Sequence, residues 1–204
     1  MILKICGITR EEDARLAVQA GADYIGAILV ESSKRFVPAE RAVAIFAEGR
    51  PAKGVLVTRN LPLEKLLRVI ELVQPAVVQL HGDESPEYAT ALPSSVRVWK
   101  AFNLNLPVSL EEMAAFPAEL LVADSGGGTG RPCDWTRAAE LAKRRPILLA
   151  GGLSAKNLRD AVTAVRPYGV DVSGGVEASP GVKDPAALRA LGNLVQIIKK
   201  ELKQ

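Results

Sequence analysis

Short apolar runs rich in β-branched residues alternate along the chain with amphipathic segments rich in Ala, Leu, Glu and Arg. The apolar runs predict eight strands, at Ile2–Cys6, Tyr24–Val30, Lys53–Thr58, Ala76–Leu80, Val96–Ala101, Glu119–Ala123, Pro146–Ala150 and Val170–Ser173. The amphipathic segments predict a helix after each strand, at Arg10–Ala20, Ala39–Glu48, Pro62–Val73, Ser85–Ala91, Leu110–Phe116, Trp135–Lys143, Ala155–Val165 and Pro185–Lys200. This alternation indicates parallel strands that are joined by helical crossovers.

Eight such units favour an α/β fold in which the strands close into a (β/α)₈ TIM barrel. With 204 residues, the chain has short loops, and we expect residues 1–204 to form a single domain. The alternative is an open doubly wound sheet, which is less favoured because no G-x-G-x-x-G follows the first strand. Thr9, Ser154 and Asp184 stand where helices should begin, and we expect them to act as N-caps.

Composition and charge narrow the classes of function. The net charge of +3 and the lack of a Lys/Arg block argue against a nucleic-acid partner, and no apolar run is long enough to span a membrane. Two cysteines, Cys6 and Cys133, without a secretory signal suggest a reduced, cytoplasmic protein. With a single histidine, His81, and no cysteine cluster, we expect no metal site and no cofactor.

Glycine clusters follow three of the late strands. In (β/α)₈ enzymes the loops after the seventh and eighth strands commonly bind a phosphate through backbone N–H groups. The sequences AGGLS and SGGVE stand at these places, so Gly151, Gly152, Gly174 and Gly175 are our candidates for phosphate binding, with tight turns as the alternative. We interpret the earlier cluster, Gly126–Gly130, as a mobile loop over the site.

The first predicted strand carries unusual polar residues. Side chains alternate along a strand, so Lys4 and Cys6 share one face, and a lysine is better placed inside the barrel mouth than among the helices. Lys4 is then a candidate to lower the pKa of Cys6 and activate it. An ion pair between Lys4 and Asp171 is the alternative, because Asp171 lies deep in the eighth strand.

Three further polar residues stand at strand ends. Asp124 ends the sixth apolar run, His81 follows the fourth strand, and Arg35 follows the second strand, where a guanidinium could clamp a carboxylate. The alternatives are a hydrogen-bonded wall residue for His81 and a solvated loop charge for Arg35. An acid and a base around a phosphate site suggest an isomerase or lyase that acts on a phosphorylated small molecule.

Several motifs together resemble the phosphoribosylanthranilate isomerase family of tryptophan biosynthesis. They run in order from residue 2 to about residue 184 and read KICGIT, SSKRFV, VQLHGDE, GGTG, LAGGL, GVDVSGGVE and SPGVKD. The resemblance implies an Amadori rearrangement of N-(5-phosphoribosyl)anthranilate to 1-(2-carboxyphenylamino)-1-deoxyribulose 5-phosphate. The expected ligand is therefore this small phosphorylated substrate, and no cofactor is expected.

The resemblance also implies roles for individual residues. Cys6 would be the general base and Asp124 the general acid, while Arg35 would hold the anthranilate carboxylate and His81 would line the aromatic side of the pocket. The phosphate would be bound by the backbone at Gly151, Gly152, Gly174 and Gly175. The chain departs from the family pattern at Ser173–Gly174–Gly175, where Ser-Ser-Gly is usual, and in the Glu31–Lys34 segment, which lacks a proline before Arg35.

Three rival interpretations and the assembly state stay open at this point. A pentose-phosphate epimerase would need more metal ligands, a histidine-pathway isomerase would carry Asp in place of Cys6, and a catalytically dead barrel would not need both Cys6 and Asp124. A homodimer is possible if the apolar residues of the second and third βα loops are exposed. These residues are Phe36, Val37, Leu61 and Leu63.

Overall fold

The computed structural model describes residues 1–126 and 132–202. Its barrel strands are β1 (Ile2–Ile5), β2 (Tyr24–Ile28), β3 (Lys53–Thr58), β4 (Val77–Leu80), β5 (Arg97–Asn103), β6 (Leu120–Asp124), β7 (Ile147–Leu149) and β8 (Gly169–Val172). Its helices are α1 (Glu11–Gln19), α2 (Ala39–Glu48), α3 (Leu63–Val73), α4 (Pro86–Thr90), α5 (Leu110–Ala115), α6 (Trp135–Ala142), α7 (Leu158–Val165) and α8 (Pro185–Glu201). The predicted alternation of strands and helices is confirmed.

The eight strands form one closed barrel in chain order. Each strand pairs in parallel with the next, and β1 also pairs in parallel with β8, with Lys4 opposite Asp171 in the register. The prediction of a (β/α)₈ barrel is therefore confirmed, and the open doubly wound sheet is wrong. Closure brings the carboxyl ends of all eight strands to one rim, which is where enzymes of this fold carry their active sites.

Two apolar layers follow from the alternation of side chains along each strand. One layer lies between the sheet and the helices and is built from aliphatic residues of both. The other fills the barrel and includes Cys6, Val57, Trp99 and Leu148. The rings of Trp99 and Tyr24 meet edge to face with their centroids 4.9 Å apart. A filled interior leaves the open rim as the place where a ligand can enter.

Only one of the three predicted N-caps is confirmed. The Asp184 side chain accepts hydrogen bonds from the backbone N–H groups of Ala186 and Ala187 at the start of α8. Thr9 does not cap α1, because its hydroxyl donates to the carbonyl of Gly181 instead. Ser154 caps a short turn rather than α7, which begins at Leu158, so the predicted start at Ala155 is three residues early.

The structure also adds an element that we did not predict. After β8 the chain forms a 3₁₀ turn (Gly174–Val176) and an antiparallel hairpin of β9 (Glu177–Ser179) and β10 (Val182–Lys183) before α8 begins. Within the predicted loop Gly126–Gly130, residues 127–130 lie outside the described part of the chain. None of the described helices is long and apolar enough to cross a membrane.

Candidate active site

A cavity of about 660 Å³ opens at the carboxyl rim of the barrel. This volume is typical of a pocket for a small molecule. All eight residues that we predicted for the site line it, namely Cys6, Arg35, His81, Asp124, Gly151, Gly152, Gly174 and Gly175. The barrel therefore brings together residues that lie as far as 169 positions apart in the chain, from Cys6 to Gly175.

Cys6 lies one residue beyond β1 and points into the barrel. Its backbone N–H donates to the carbonyl of Val172 at 2.9 Å, which fixes the end of the strand, and the residue is buried. Burial raises the pKa of the Cys6 thiol, and this effect outweighs the opposing charge of Lys4. Lys4 acts in the predicted direction, because its charge and its hydrogen bond lower the Cys6 pKa, but burial outweighs both effects.

Lys4 forms a buried ion pair with Asp171. The Lys4 Nζ and Asp171 Oδ2 atoms are 2.7 Å apart, and the lysine side chain is fully enclosed. Burial by itself lowers the pKa of Lys4, but the negative charges of Asp171 and Cys6 outweigh it and the pKa is raised. The ion-pair interpretation of Lys4 is confirmed, and the lysine ammonium lies between the carboxylate and the thiol.

Asp124 and His81 face each other at the rim. Asp124 ends β6, and its Oδ2 atom accepts a hydrogen bond from the backbone N–H of Gly126 at 3.2 Å. The His81 Nε2 atom lies 3.5 Å from the same Oδ2 atom. His81 is thus a wall residue that also adjoins the candidate acid. Because β6 is well removed from β1 around the ring, Asp124 and Cys6 line the cavity from different sides.

The loop that carries His81 is held by a second buried ion pair. Glu84 accepts hydrogen bonds from the backbone N–H groups of Asn60 and Gly82 and from Lys100 Nζ at 2.7 Å. Lys100 also donates to the carbonyl of Gly82. These contacts tie the loop after β4 to β5 and keep His81 at the rim. Sequence reasoning missed Glu84 and Lys100.

Arg35 is anchored and is not a solvated loop charge. Its Nε and Nη2 atoms donate to the two carboxylate oxygens of Glu177 at 2.7 Å and 2.6 Å. A Cβ atom at Gly7 would lie 2.4 Å from the Arg35 Cδ atom, so a glycine beside Cys6 is needed for the arginine to lie across it. The guanidinium lines the cavity close to the thiol.

The two late glycine loops pack against each other. Gly151 and Gly152 have φ values of 82° and 61°, which favour glycine. A Cβ atom at Gly175 would lie only 1.9 Å from the carbonyl oxygen of Leu153, so the loop after β8 closes directly onto the loop after β7. This arrangement places two turns of exposed backbone at one side of the cavity.

Further charged residues escaped the sequence analysis. Lys34 and Arg59 line the cavity, and Glu177 and Lys183 support Arg35 from the hairpin. The signal for the hairpin was the turn-forming pair Pro180-Gly181 alone, because the flanking stretches Glu177–Ser179 and Val182–Lys183 are not apolar runs. Among the described residues, no group of His, Cys, Asp and Glu side chains is arranged to hold a metal ion.

Comparison with known proteins identifies the family. The family model for N-(5'-phosphoribosyl)anthranilate (PRA) isomerase matches residues 3–193. The chain belongs to this family. A curated relative from Geobacter metallireducens, named N-(5'-phosphoribosyl)anthranilate isomerase, is 45% identical over 193 residues, which cover 92% of this chain and 95% of the relative. The family membership sets aside the epimerase and histidine-pathway interpretations.

Solved structures of the same family agree with the fold. The phosphoribosyl anthranilate isomerase of Thermus thermophilus is 41% identical, with a TM-score of 0.90 over 97% of this chain and 100% of that chain. Another phosphoribosyl anthranilate isomerase, solved in complex with reduced 1-(o-carboxyphenylamino)-1-deoxyribulose 5-phosphate, is 35% identical. Its TM-score is 0.84 over 96% of this chain and 99% of that chain. That ligand carries both a phosphate and an aromatic carboxylate.

Proposed function

We propose that this protein catalyses the Amadori rearrangement of N-(5'-phosphoribosyl)anthranilate in tryptophan biosynthesis, with Cys6 as general base and Asp124 as general acid. The observation that carries the assignment is that both residues line one cavity, whose walls also hold two glycine turns and Arg35. Membership of the isomerase family supports the same activity. The product is 1-(2-carboxyphenylamino)-1-deoxyribulose 5-phosphate.

Proton transfers account for the whole reaction. Asp124 donates a proton to the ribose ring oxygen, the C1–O bond breaks, and the anthranilate nitrogen supplies the electron pair that makes the C1=N imine. The Cys6 thiolate then removes the proton from C2. The C2–H electron pair forms the C1=C2 bond of an enaminol, and the π pair of the C1=N bond returns to nitrogen. Return of a proton to C1 and loss of the hydroxyl proton give the C2 ketone. These steps call for no metal and no redox cofactor.

The two ends of the substrate are held by different chemistry. Backbone N–H groups at Gly151, Gly152, Gly174 and Gly175 bind the phosphate, because glycine allows the backbone to approach an anion closely. Arg35 binds the aromatic carboxylate, and Lys34 adds positive charge at the same wall of the cavity. His81 lines the aromatic side. Anchoring both ends fixes C2 beside the thiol and the ring oxygen beside the carboxyl group.

Cys6 and Cys133 are both free and buried. A cysteine that acts as a base must stay a thiol, which requires a reducing compartment. This requirement supports the cytoplasm as the place where the protein works.

Fluorescence of the anthranilate group tests the assignment, because substrate and product differ in emission. We expect the signal change to be lost in both Cys6→Ser and Asp124→Asn. Cys133→Ser is the matched control, since Cys133 is also a buried free cysteine but belongs to the apolar layer under the helices. Full activity in either Cys6→Ser or Asp124→Asn would reject the assigned role of that residue.

One of the predicted loop residues, Phe36, is exposed and supports a homodimer. The other three are not exposed as predicted, because Leu61 and Leu63 are half-buried against the core and Val37 is buried. Phe36 lines a second cavity together with Leu61 and the exposed Leu72 of α3. We expect sedimentation to show a dimer that Phe36→Glu converts to a monomer. Ile197→Glu, at another exposed apolar position on α8, should leave the dimer intact. A wild-type monomer at micromolar concentration would exclude this assembly.

A further inference from the structure

The hairpin after β8 places a carboxylate and an ammonium directly behind Arg35. Glu177 begins β9 and accepts two hydrogen bonds from Arg35, while Lys183 at the end of β10 donates to the Glu177 Oε1 atom at 2.9 Å. The side chains of Glu177 and Lys183 are 5% and 0% exposed. The three groups form a chain that runs from the cavity wall into the interior of the protein.

We propose that Glu177 is a positioning residue that sets the Arg35 guanidinium for recognition of the aromatic carboxylate of the substrate. The inference rests on the proposed function, in which Arg35 binds that carboxylate. Nothing in the proposed reaction places Glu177 in contact with the substrate, so its effect on carboxylate recognition is exerted through Arg35.

The hydrogen bonds to Glu177 leave a second edge of the guanidinium for a ligand. A guanidinium has five N–H donors and can bind carboxylates in a bidentate manner. Glu177 takes the edge formed by Nε and Nη2 of Arg35. The edge formed by Nη1 and Nη2 is a different edge, which suits a second bidentate carboxylate. A guanidinium already fixed in its plane loses less conformational entropy when that carboxylate binds.

Charge balance explains why Glu177 does not cancel the attraction of Arg35 for an anion. Among these three side chains, Arg35 and Lys183 are cations and Glu177 is an anion, so the three together carry one net positive charge. Because Lys183 is fully enclosed and Arg35 lines the cavity, the group that meets the ligand is Arg35. Lys183 therefore neutralises Glu177 from behind and preserves the guanidinium charge for the substrate.

The same ammonium connects carboxylate recognition to the candidate base. Lys183 Nζ donates to the carbonyl oxygen of Cys6 at 2.7 Å and to the carbonyl oxygen of Ser173 at 3.2 Å. One buried side chain thus holds the peptide of the base, the start of the loop after β8 and the carboxylate that orients Arg35. We expect the position of Cys6 to depend on Lys183, and the position of Arg35 on Glu177.

Binding of two ligands tests the proposal. The first is the reduced 1-(o-carboxyphenylamino)-1-deoxyribulose 5-phosphate, and the second is the same compound without the carboxyl group on its ring. Calorimetry on the full chain gives the ratio of their dissociation constants. We expect the wild type to bind the ligand with the carboxyl group more tightly. In Glu177→Gln the ratio of the two dissociation constants should be about tenfold smaller. The affinity for the ligand that lacks the carboxyl group should not change.

Glu84→Gln is the matched control, because Glu84 is another buried carboxylate that accepts from a buried lysine, Lys100, but does not contact Arg35. We expect it to change the affinities for both ligands by the same factor, or not at all. Glu177→Asp serves if Glu177→Gln does not fold, because it keeps the charge beside Lys183 but is too short to reach both Arg35 nitrogens. It should also lose part of the preference.

The outcomes separate the proposal from the proposed function. A wild type that binds both ligands equally would reject carboxylate binding by Arg35, and with it the role of Glu177. A wild type that prefers the carboxylate, with the same preference in both Glu177 variants, would overturn the positioning role alone. Equal losses for both ligands in the Glu177 variants would also overturn it, because they would show a general structural role.

Discussion

Gly26 on β2 lies directly against Cys6 inside the barrel. A Cβ atom at position 26 would be 2.8 Å from the Cys6 sulfur and 3.2 Å from the Lys4 Cε atom. Real Cβ atoms do not approach a neighbour this closely, so any other residue at position 26 must displace the thiol or the lysine. The glycine therefore makes room for the candidate base.

We predict that Gly26→Ala lowers kcat about 100-fold, because a displacement of about 1 Å at a reacting group has an effect of that size. Steady-state kinetics with the fluorescence assay measure it. Gly54→Ala is the control, since its Cβ atom would lie 2.5 Å from the Phe46 ring, away from the cavity. Both variants should lose about 1–3 kcal/mol of unfolding free energy from overpacking. A Gly26→Ala enzyme with wild-type kcat would contradict the prediction.

The raised pKa of Cys6 predicts an alkaline pH profile. A base works in its deprotonated form, so kcat/KM should rise with pH until the thiol of the free enzyme has ionised. Burial raises that pKa above the ordinary thiol value of about 8.5. Thiolate absorbance in Cys133→Ala, which leaves Cys6 as the single cysteine, measures the same ionisation directly. A kcat/KM plateau that is already reached at neutral pH would show that the thiol pKa is not raised.

The buried pair of Lys4 and Asp171 predicts a non-additive effect on stability. Lys4→Met leaves the Asp171 carboxylate buried without its cation, so we expect a loss of about 3–5 kcal/mol in the free energy of unfolding. Lys4→Met/Asp171→Asn removes both charges and should recover about 2 kcal/mol of that loss. Urea denaturation of the wild type, Lys4→Met, Asp171→Asn and the double variant measures the coupling. Equal losses in the single and double Lys4 variants would show that the charge pair is not responsible.

Local patterns in the sequence were sufficient to predict the (β/α)₈ barrel. The bounds of β3 and α2 agree with the prediction, since the apolar run Val55–Val57 marks the centre of β3 and Pro38 marks the start of α2. Alternation along β1 also placed Lys4 and Cys6 on the interior face. These features depend on neighbours in the chain, which is why the sequence alone predicts them.

The parts that sequence reasoning missed depend on contacts between distant residues. Arg35 and Glu177 are separated by 142 positions, and β9 and β10 are too short to give a periodic pattern. The sign of the Cys6 pKa shift is set by a balance between burial and the charge of Lys4, which no motif encodes. Thr9 does not cap α1, because its hydroxyl donates a hydrogen bond to the carbonyl of Gly181, which is distant in the sequence.

The buried Glu84 carboxylate predicts that the free energy of unfolding decreases at acidic pH. Burial by itself raises the pKa of Glu84, but hydrogen bonds from Lys100 and from the Asn60 backbone outweigh it, so the pKa lies below its usual value. A carboxyl group with a lowered pKa contributes stability above its unfolded pKa of about 4.3, and that stability is lost as the pH falls through the folded value.

Thermal unfolding between pH 7 and pH 3 measures this dependence. We expect the wild-type melting temperature to fall once the pH drops below about 4, and Glu84→Gln to melt lower at pH 7 with a shallower fall, because its amide does not titrate. Glu201→Gln is the control, since Glu201 pairs with Arg159 on the surface and exposed pairs contribute little. The prediction would be contradicted if the melting temperature of Glu84→Gln fell with pH as steeply as that of the wild type. Other carboxylates would then cause the loss of stability in acid. The Lys100–Glu84 pair would hold the His81 loop without contributing to that loss.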